Sequence, residues 1–333
     1  MCDIAYVIAT STSRGCMMSW RDTTYVGFHG GDWTPSRRSE VDAVATLKHE
    51  VNGLAWDLPS RRAPRGVTGN TLHPAILDQT IFEWFFNTIA PTRHVIGVNT
   101  PFGWPMEFRS FLDGGMPSPI PHVDDTSANP VLFRESDRFA EELLGVEPDS
   151  MLHHADSVTK MHTVMRILRE RVNAHVAFIG RASNGTWYDL DTLIVETDAF
   201  CADFSSAFKK TRRELFARIN KELVANGKPR LKVPEKVALA SALIALGLDQ
   251  AICDPVESNT LYLVPDGLLP VGDVQPTRHH TYADIFHADN LNADEESEWK
   301  KHIDRKRIQY EGFPTYPIDK KKLERWVKKK QKS

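Results

Sequence analysis

The sequence predicts an α/β protein whose mixed five-stranded sheet is flanked by helices and followed by a basic C-terminal extension. Three observations predict it: short apolar runs punctuated by turn residues over residues 4–28, a continuous apolar run at 94–98, and amphipathic periodicity alternating with further short apolar runs after residue 135. With 333 residues, 41% hydrophobic and 26% charged, the chain can bury a full core, which excludes disordered and fibrous classes.

Residues 4–9 (IAYVIA), 16–20 (CMMSW) and 25–28 (YVGF) read as three short strands, each bounded by Ser, Arg, Gly or Asp-Thr-Thr turn signals. Together they predict a β-meander. Val41, Val44, Ala45 and Leu47 fall at helical spacing and predict a helix; a Pro-, Arg- and Gly-rich loop follows over 59–69. A second helix spans 76–89 and stops at Pro91. The run HVIGV at 94–98 predicts a buried strand, and NTPFGWP at 99–105 is the irregular loop leaving its end, where ligands of open α/β sheets sit.

After a Pro-rich stretch at 117–130, a helix over 135–144 ends at Gly145. Val158, Met161, Met165, Leu168 and Val172 share one stripe and predict another over 157–172. Residues 176–179 and 193–196 read as strands. A basic-faced helix over 206–225 closes at Gly227, and Pro234 suits the first turn of a helix running to about Leu248. A meander, then helices alternating with strands, is what the topology of ribonuclease H requires. The division expected is a domain over 1–275 and a charged extension over 276–333.

Residues 4–9 are too few for a membrane span or a signal peptide, and Cys2, Cys16, Cys201 and Cys253 form no CxxC pair. A cytoplasmic protein without a membrane partner is expected. The formal net charge of −3 hides an asymmetry. Residues 299–333 carry 13 Lys and Arg against Asp304, Glu311, Asp319 and Glu324, whereas the rest holds 28 basic and 40 acidic residues. Such a tail faces a polyanion, an acidic protein partner or its own body.

The strings VIGVNTPFGWP at 95–105, RESD at 134–137 and LIVE at 193–196, with the Ala- and Leu-rich stretch at 237–246, give the chain a resemblance to the family called domain of unknown function 429. That family is regarded as predicted nucleases of the ribonuclease H-like fold, and the resemblance covers most of residues 1–275. It implies a nucleic-acid substrate and two divalent metal ions, Mg²⁺ or Mn²⁺, held by carboxylates about 4 Å apart.

At the matching positions the sequence is poor in carboxylates. The first strand offers Ala9 or Thr10, the strand at 94–98 leads into Asn99, and the late helix offers Ala238 and Ser241. An amide ligates through oxygen without neutralising a cation. Asp3, Glu235 and Asp249 are the nearby acids that could replace the missing ones.

The resemblance places Asn99, Asp137 and Glu196 as catalytic residues, with Asp137 and Glu196 as metal ligands. Arg134, three residues before Asp137 at a helix start, fits a phosphate-binding fork or a structural cation between two carboxylates. Lys209, Lys210 and Arg213, with Arg212, Arg218 and Lys221, give the 206–225 helix a basic side suited to a phosphate backbone, and Trp326 sits among the lysines of the tail.

His153, His154, Asp156 and His162, and separately His279, His280 and His287, lack the tight paired spacing of zinc sites and read as helix-end or surface histidines. His122, Asp124 and Asp125 are a weaker candidate still. Ser157-Val-Thr-Lys160 matches SxxK without the companion SDN and KTG motifs, and no GxSxG, GxxxxGK or GxGxxG string occurs. Two functions are expected to compete: a nucleic-acid-associated protein of nuclease ancestry with doubtful cleavage, and a non-catalytic scaffold whose tail docks on a partner.

Overall fold

A computed structural model describes residues 5–6, 23–29, 43–51, 53–59, 94–101, 103–115, 129–145, 158, 174–176, 192–199, 204–253, 260–264, 311, 314–319, 321–322, 325 and 328–329. Their strands are β1 (Ala5–Tyr6), β2 (Thr24–His29), β3 (Ala43–Glu50), β4 (Gly53–Asp57), β5 (His94–Asn99), β6 (Ala174–Val176), β7 (Thr192–Glu196), β8 (Thr260–Val264) and β9 (Tyr316–Asp319). The helices are α1 (Met106–Leu112), α2 (Glu135–Leu144), α3 (Ser206–Ala225) and α4 (Val233–Cys253).

The main sheet is mixed, with strand order β4-β3-β2-β5-β7-β6. β2, β3 and β4 form an antiparallel meander, and β2, β5, β7 and β6 run parallel. A mixed sheet flanked by helices is as expected, with five strands and the short β6 as a sixth at its edge, but of the five only β2, β5 and β7 coincide with strands expected from the sequence. β1, β8 and β9 form a separate antiparallel sheet.

Three sequence expectations are corrected. The meander begins with β2, so residues 25–28 supply the first strand of the main sheet, whereas Ala5 and Tyr6 pair with Val264 and Leu263 in the other sheet. Ala9 and Thr10 therefore do not stand at the end of that first strand; His29 does. The helix expected around Val41 to Leu47 is β3. Ala43, Val44 and Ala45 are buried in succession because both faces of the strand are covered, which replaces alternation with a continuous run that periodicity cannot separate from a helix. The expected elements at 16–20 and 76–89 lie outside the described residues, as does that at 157–172 apart from the buried Val158.

The remaining elements agree closely. α2 ends where Gly145 takes φ 73°, α3 starts at the N-cap Ser205, whose hydroxyl accepts from Phe208 N, and α4 runs five residues past the expected end. The strand expected at 176–179 meets β6 at Val176, and residues 177–179 lie outside the described residues.

α4 is buried along 237–246 because it lies flat on the centre of the sheet. Gly27 and Gly97 are register partners on neighbouring strands. A Cβ on Gly27 would overlap the Ala238 carbonyl and stand 2.6 Å from Ala242 N, and one on Gly97 would overlap the Ser241 carbonyl. Two missing side chains thus make the trough that receives the helix backbone. Tyr25, Val95 and Val195 face the same core as Leu239, Leu243 and Leu246, and α3 adds Phe208, Leu215, Ile219 and Leu223. Tyr25, early on β2, donates to the buried Asp249 late on α4 at 2.8 Å. α4 therefore runs antiparallel to β2, bringing its N-terminal half to the carboxyl ends of the central strands.

The expected boundary near residue 275 does not detach the tail. β9 pairs with β8, Thr315 bridges to Thr197 beyond β7, and Thr315 N donates to Glu196 O at 2.7 Å.

Candidate functional site

The carboxyl ends of β2, β5 and β7 carry His29, Asn99 and Glu196. Register sets their directions. His29 pairs with Asn99 and shares the side on which Gly27 and Gly97 meet α4, whereas Glu196 pairs with Val98 and projects to the opposite face. Asn99 is also committed, since its Oδ1 accepts from Ala199 N at 2.6 Å and so folds the chain leaving β7 across the end of β5. Of the four expected residues, Arg134 contacts both Asp137 and Glu196. Asn99 serves the other side of the sheet.

Arg134 is 2% exposed and occupies the N-cap of α2 with φ −69° and ψ 151°. A turn held by Asn129, whose Oδ1 accepts from Val131 N, leads the chain into it. Each nitrogen of its guanidinium has a partner. Nε and Nη2 donate to Asp137 Oδ2 and Oδ1 at 2.9 and 2.7 Å, and Nη1 reaches Glu196 Oε1 at 2.8 Å and Glu311 O at 2.8 Å. Burial pulls the guanidinium pKa down, but the charges and hydrogen bonds of Asp137 and Glu196 outweigh it and hold the pKa well above the ordinary arginine value.

Sequence reasoning missed Glu311. Its side chain is fully buried, with Oε1 accepting from Met106 N at 3.0 Å and Oε2 from Glu135 N at 2.6 Å. α2 has no side-chain cap of its own because its N-cap is an arginine turned to other partners. A carboxylate 176 residues away does that work. Asp319 repeats the arrangement at α3, accepting from Ser206 N at 3.2 Å and Ser206 Oγ at 2.9 Å. In the sequence only scarcity marks them, as two of four acids in a strongly basic stretch, and that does not give their partners.

The strand end is therefore not poor in carboxylates, contrary to expectation. Asp137, Glu196 and Glu311 gather there around one arginine. They do not fit a pair of divalent ions, because both Asp137 oxygens and Glu196 Oε1 already hold the guanidinium and both Glu311 oxygens hold main-chain N–H groups. Among the described residues no group of three His, Cys, Asp or Glu is arranged to hold a metal. α4 presents Val237 and Ala240 to Ala199 at this end. Of the replacement acids, Glu235 caps its own helix through Lys232 N at 2.7 Å, Asp249 belongs to Tyr25 at the far end, and Asp3 lies outside the described residues.

The basic residues of α3 divide into two kinds. Lys210 and Arg213 are exposed and Lys209 is half-buried, all in the first half of the helix, where Arg212 Nη1 donates to Ala199 O at 3.4 Å. Arg218 instead donates to Leu54 O and serves the fold. The histidine clusters at 153–162 and 279–287 and the candidate around His122 lie outside the described residues. Among the described residues no helix is long and apolar enough to cross a membrane. Comparison with family models, curated proteins and solved structures returns no match, so the site is read from its own geometry.

Proposed function

We propose that the chain is a nucleic-acid-associated protein on a ribonuclease H-like core, related to the predicted nucleases it resembles, that binds a phosphate backbone without two-metal cutting. The strand order β4-β3-β2-β5-β7, an antiparallel meander followed by parallel strands, supports the fold reading. The observation that carries the functional reading is the Arg134 guanidinium seated between Asp137 and Glu196 at the strand ends, where Mg²⁺ or Mn²⁺ would have to displace it. Lys209, Lys210 and Arg213 in the first half of α3 offer phosphate contacts that are sequence-independent and salt-sensitive.

Labelled DNA and RNA titrated with the full chain, with and without Mn²⁺, test this. Salt-sensitive binding without cleavage is expected. Metal-dependent cleavage abolished by Asp137→Ala or Glu196→Ala would overturn the non-cutting half, and no binding at low salt would overturn both halves.

A second reading, a scaffold for an acidic protein partner, draws on the tail. Glu311 and residues 314–319 dock on the body, and Lys322 lies 4.5 Å from the Phe204 ring. Salt-insensitive capture of a protein, with no nucleic-acid binding, would favour it.

A further inference from the structure

We infer that the main-chain N–H groups of Met106 and Glu135, backed by Arg134, frame an oxyanion site that Glu311 fills in cis and that takes a phosphate group when the C-terminal segment withdraws. The frame is built from two separate parts of the chain, and its occupant comes from a third. Met106 N and Glu135 N converge on the two oxygens of one fully buried carboxylate, and Arg134 Nη1 grips the carbonyl of the same residue. The occupant therefore satisfies two donors that α1 and α2 cannot satisfy for themselves.

A second observation points to an occupant larger than a carboxylate. Ser136, next to Glu135 in the first turn of α2, is 1% exposed, and its hydroxyl has no hydrogen-bond partner among the described residues. A buried hydroxyl without a partner is costly unless something else uses it. A tetrahedral phosphate carries more acceptor oxygens than a carboxylate and supplies one for this hydroxyl beyond the two that the N–H groups take.

The segment that brings Glu311 is attached through contacts that include a bridge, a strand pair and a helix cap. Thr315 bridges to Thr197, β9 pairs with β8, and Asp319 caps α3 at an exposed position. None is covalent. The site is thus a competition between a tethered carboxylate and a free phosphate, and the tether sets the affinity that an outside ligand must match. The inference rests on the proposed polyanion role only for the source of that phosphate.

The test uses the full chain as wild type, Glu311→Ala, Glu311→Gln and the double variant Glu311→Ala/Glu135→Pro, melted in inorganic phosphate and in chloride of equal ionic strength. Proline is tolerated at the first position of a helix, and Arg134 already has the extended backbone that precedes proline, so Glu135→Pro deletes one donor and keeps α2. Glu311→Ala should gain about 2–4 °C more than wild type once phosphate is tenfold over its Kd. Glu311→Gln should gain less, and the double variant should lose the excess. Equal gains in wild type and Glu311→Ala would reflect the general stabilising action of phosphate and would overturn the site.

If Glu311→Ala does not fold in chloride, recovery in phosphate that the double variant lacks supports the site, and failure to recover overturns it. A labelled oligonucleotide separates the two sources of phosphate. Tighter binding by Glu311→Ala, with a salt dependence steeper by about one phosphate contact, assigns the site to a nucleic-acid backbone. A phosphate gain with unchanged oligonucleotide binding assigns it to a small phosphorylated molecule and leaves the site standing while the nucleic-acid reading falls.

Discussion

Gly27 and Gly97 stand opposite each other on adjacent parallel strands, and the backbone of α4 occupies the space both side chains would need. Because the obstruction is main chain, no rotamer change relieves it. Gly27→Ala should cost about 3 kcal/mol or more, at the upper end of core overpacking. Urea unfolding measures it, and an unchanged midpoint would mean that α4 does not lie in this trough.

Arg134 is worth testing by removal and by conservative exchange. Arg134→Met leaves Glu196 buried without its cation and should cost about 3–5 kcal/mol. Arg134→Lys should recover only part, since an ammonium cannot hold both Asp137 oxygens and Glu196 in one plane. A lysine variant as stable as wild type would show that charge alone matters.

The pH dependence follows from the same contacts. The Arg134 pKa is raised by folding, so its stabilisation is fully present below the unfolded arginine value and is lost only as pH climbs through the higher folded value. It should therefore not vary between pH 5 and 9. In Arg134→Met the buried Glu196 should instead take up a proton readily, so the stability gap to wild type should narrow from pH 7 to 5. Parallel stability curves across that range would contradict the pairing.

Tyr25→Phe removes the donor to Asp249 and should cost about 1–2 kcal/mol. The pair sits at the end of the sheet remote from Arg134. Oligonucleotide binding should be untouched, and a matching loss of binding would mean that the two ends are coupled.

The position of a truncation should decide its effect. Ending the chain after Asp319 keeps Glu311, β9 and the α3 cap and should leave a folded protein whose nucleic-acid binding has lost part of its salt dependence. Ending it before Glu311 strips Arg134 of a partner, and that protein should melt several degrees lower. Equal melting temperatures for the two would show that residues 311–319 contribute nothing to the body.

Much of the fold was legible where local rules act alone. Gly227 closes α3, Gly145 stops α2, and the run at 94–98 is β5, because caps and continuous apolar runs are written in neighbouring residues. β3 was misread because burial on two faces erases the alternation that marks a strand. The starting strand was misplaced because residues 4–9 and 25–28 carry equivalent apolar patterns, and only pairing partners far along the chain separate them. Arg134, Asp137 and Glu196 were legible as a group. Glu311 was not, since its role depends on donors 176 and 205 residues away.

The order in which the parts arrive follows from where the two capping acids lie. α1, α2 and α3 all leave the ribosome before Glu311 and Asp319 have been made. Until then Met106 N, Glu135 N and Ser206 N must rely on water, and β8 shows a bare hydrogen-bonding rim on which another copy's strand can settle. A half-finished or clipped chain thus carries an association hazard that the finished one conceals, and slow translation of residues 265–310 would prolong it.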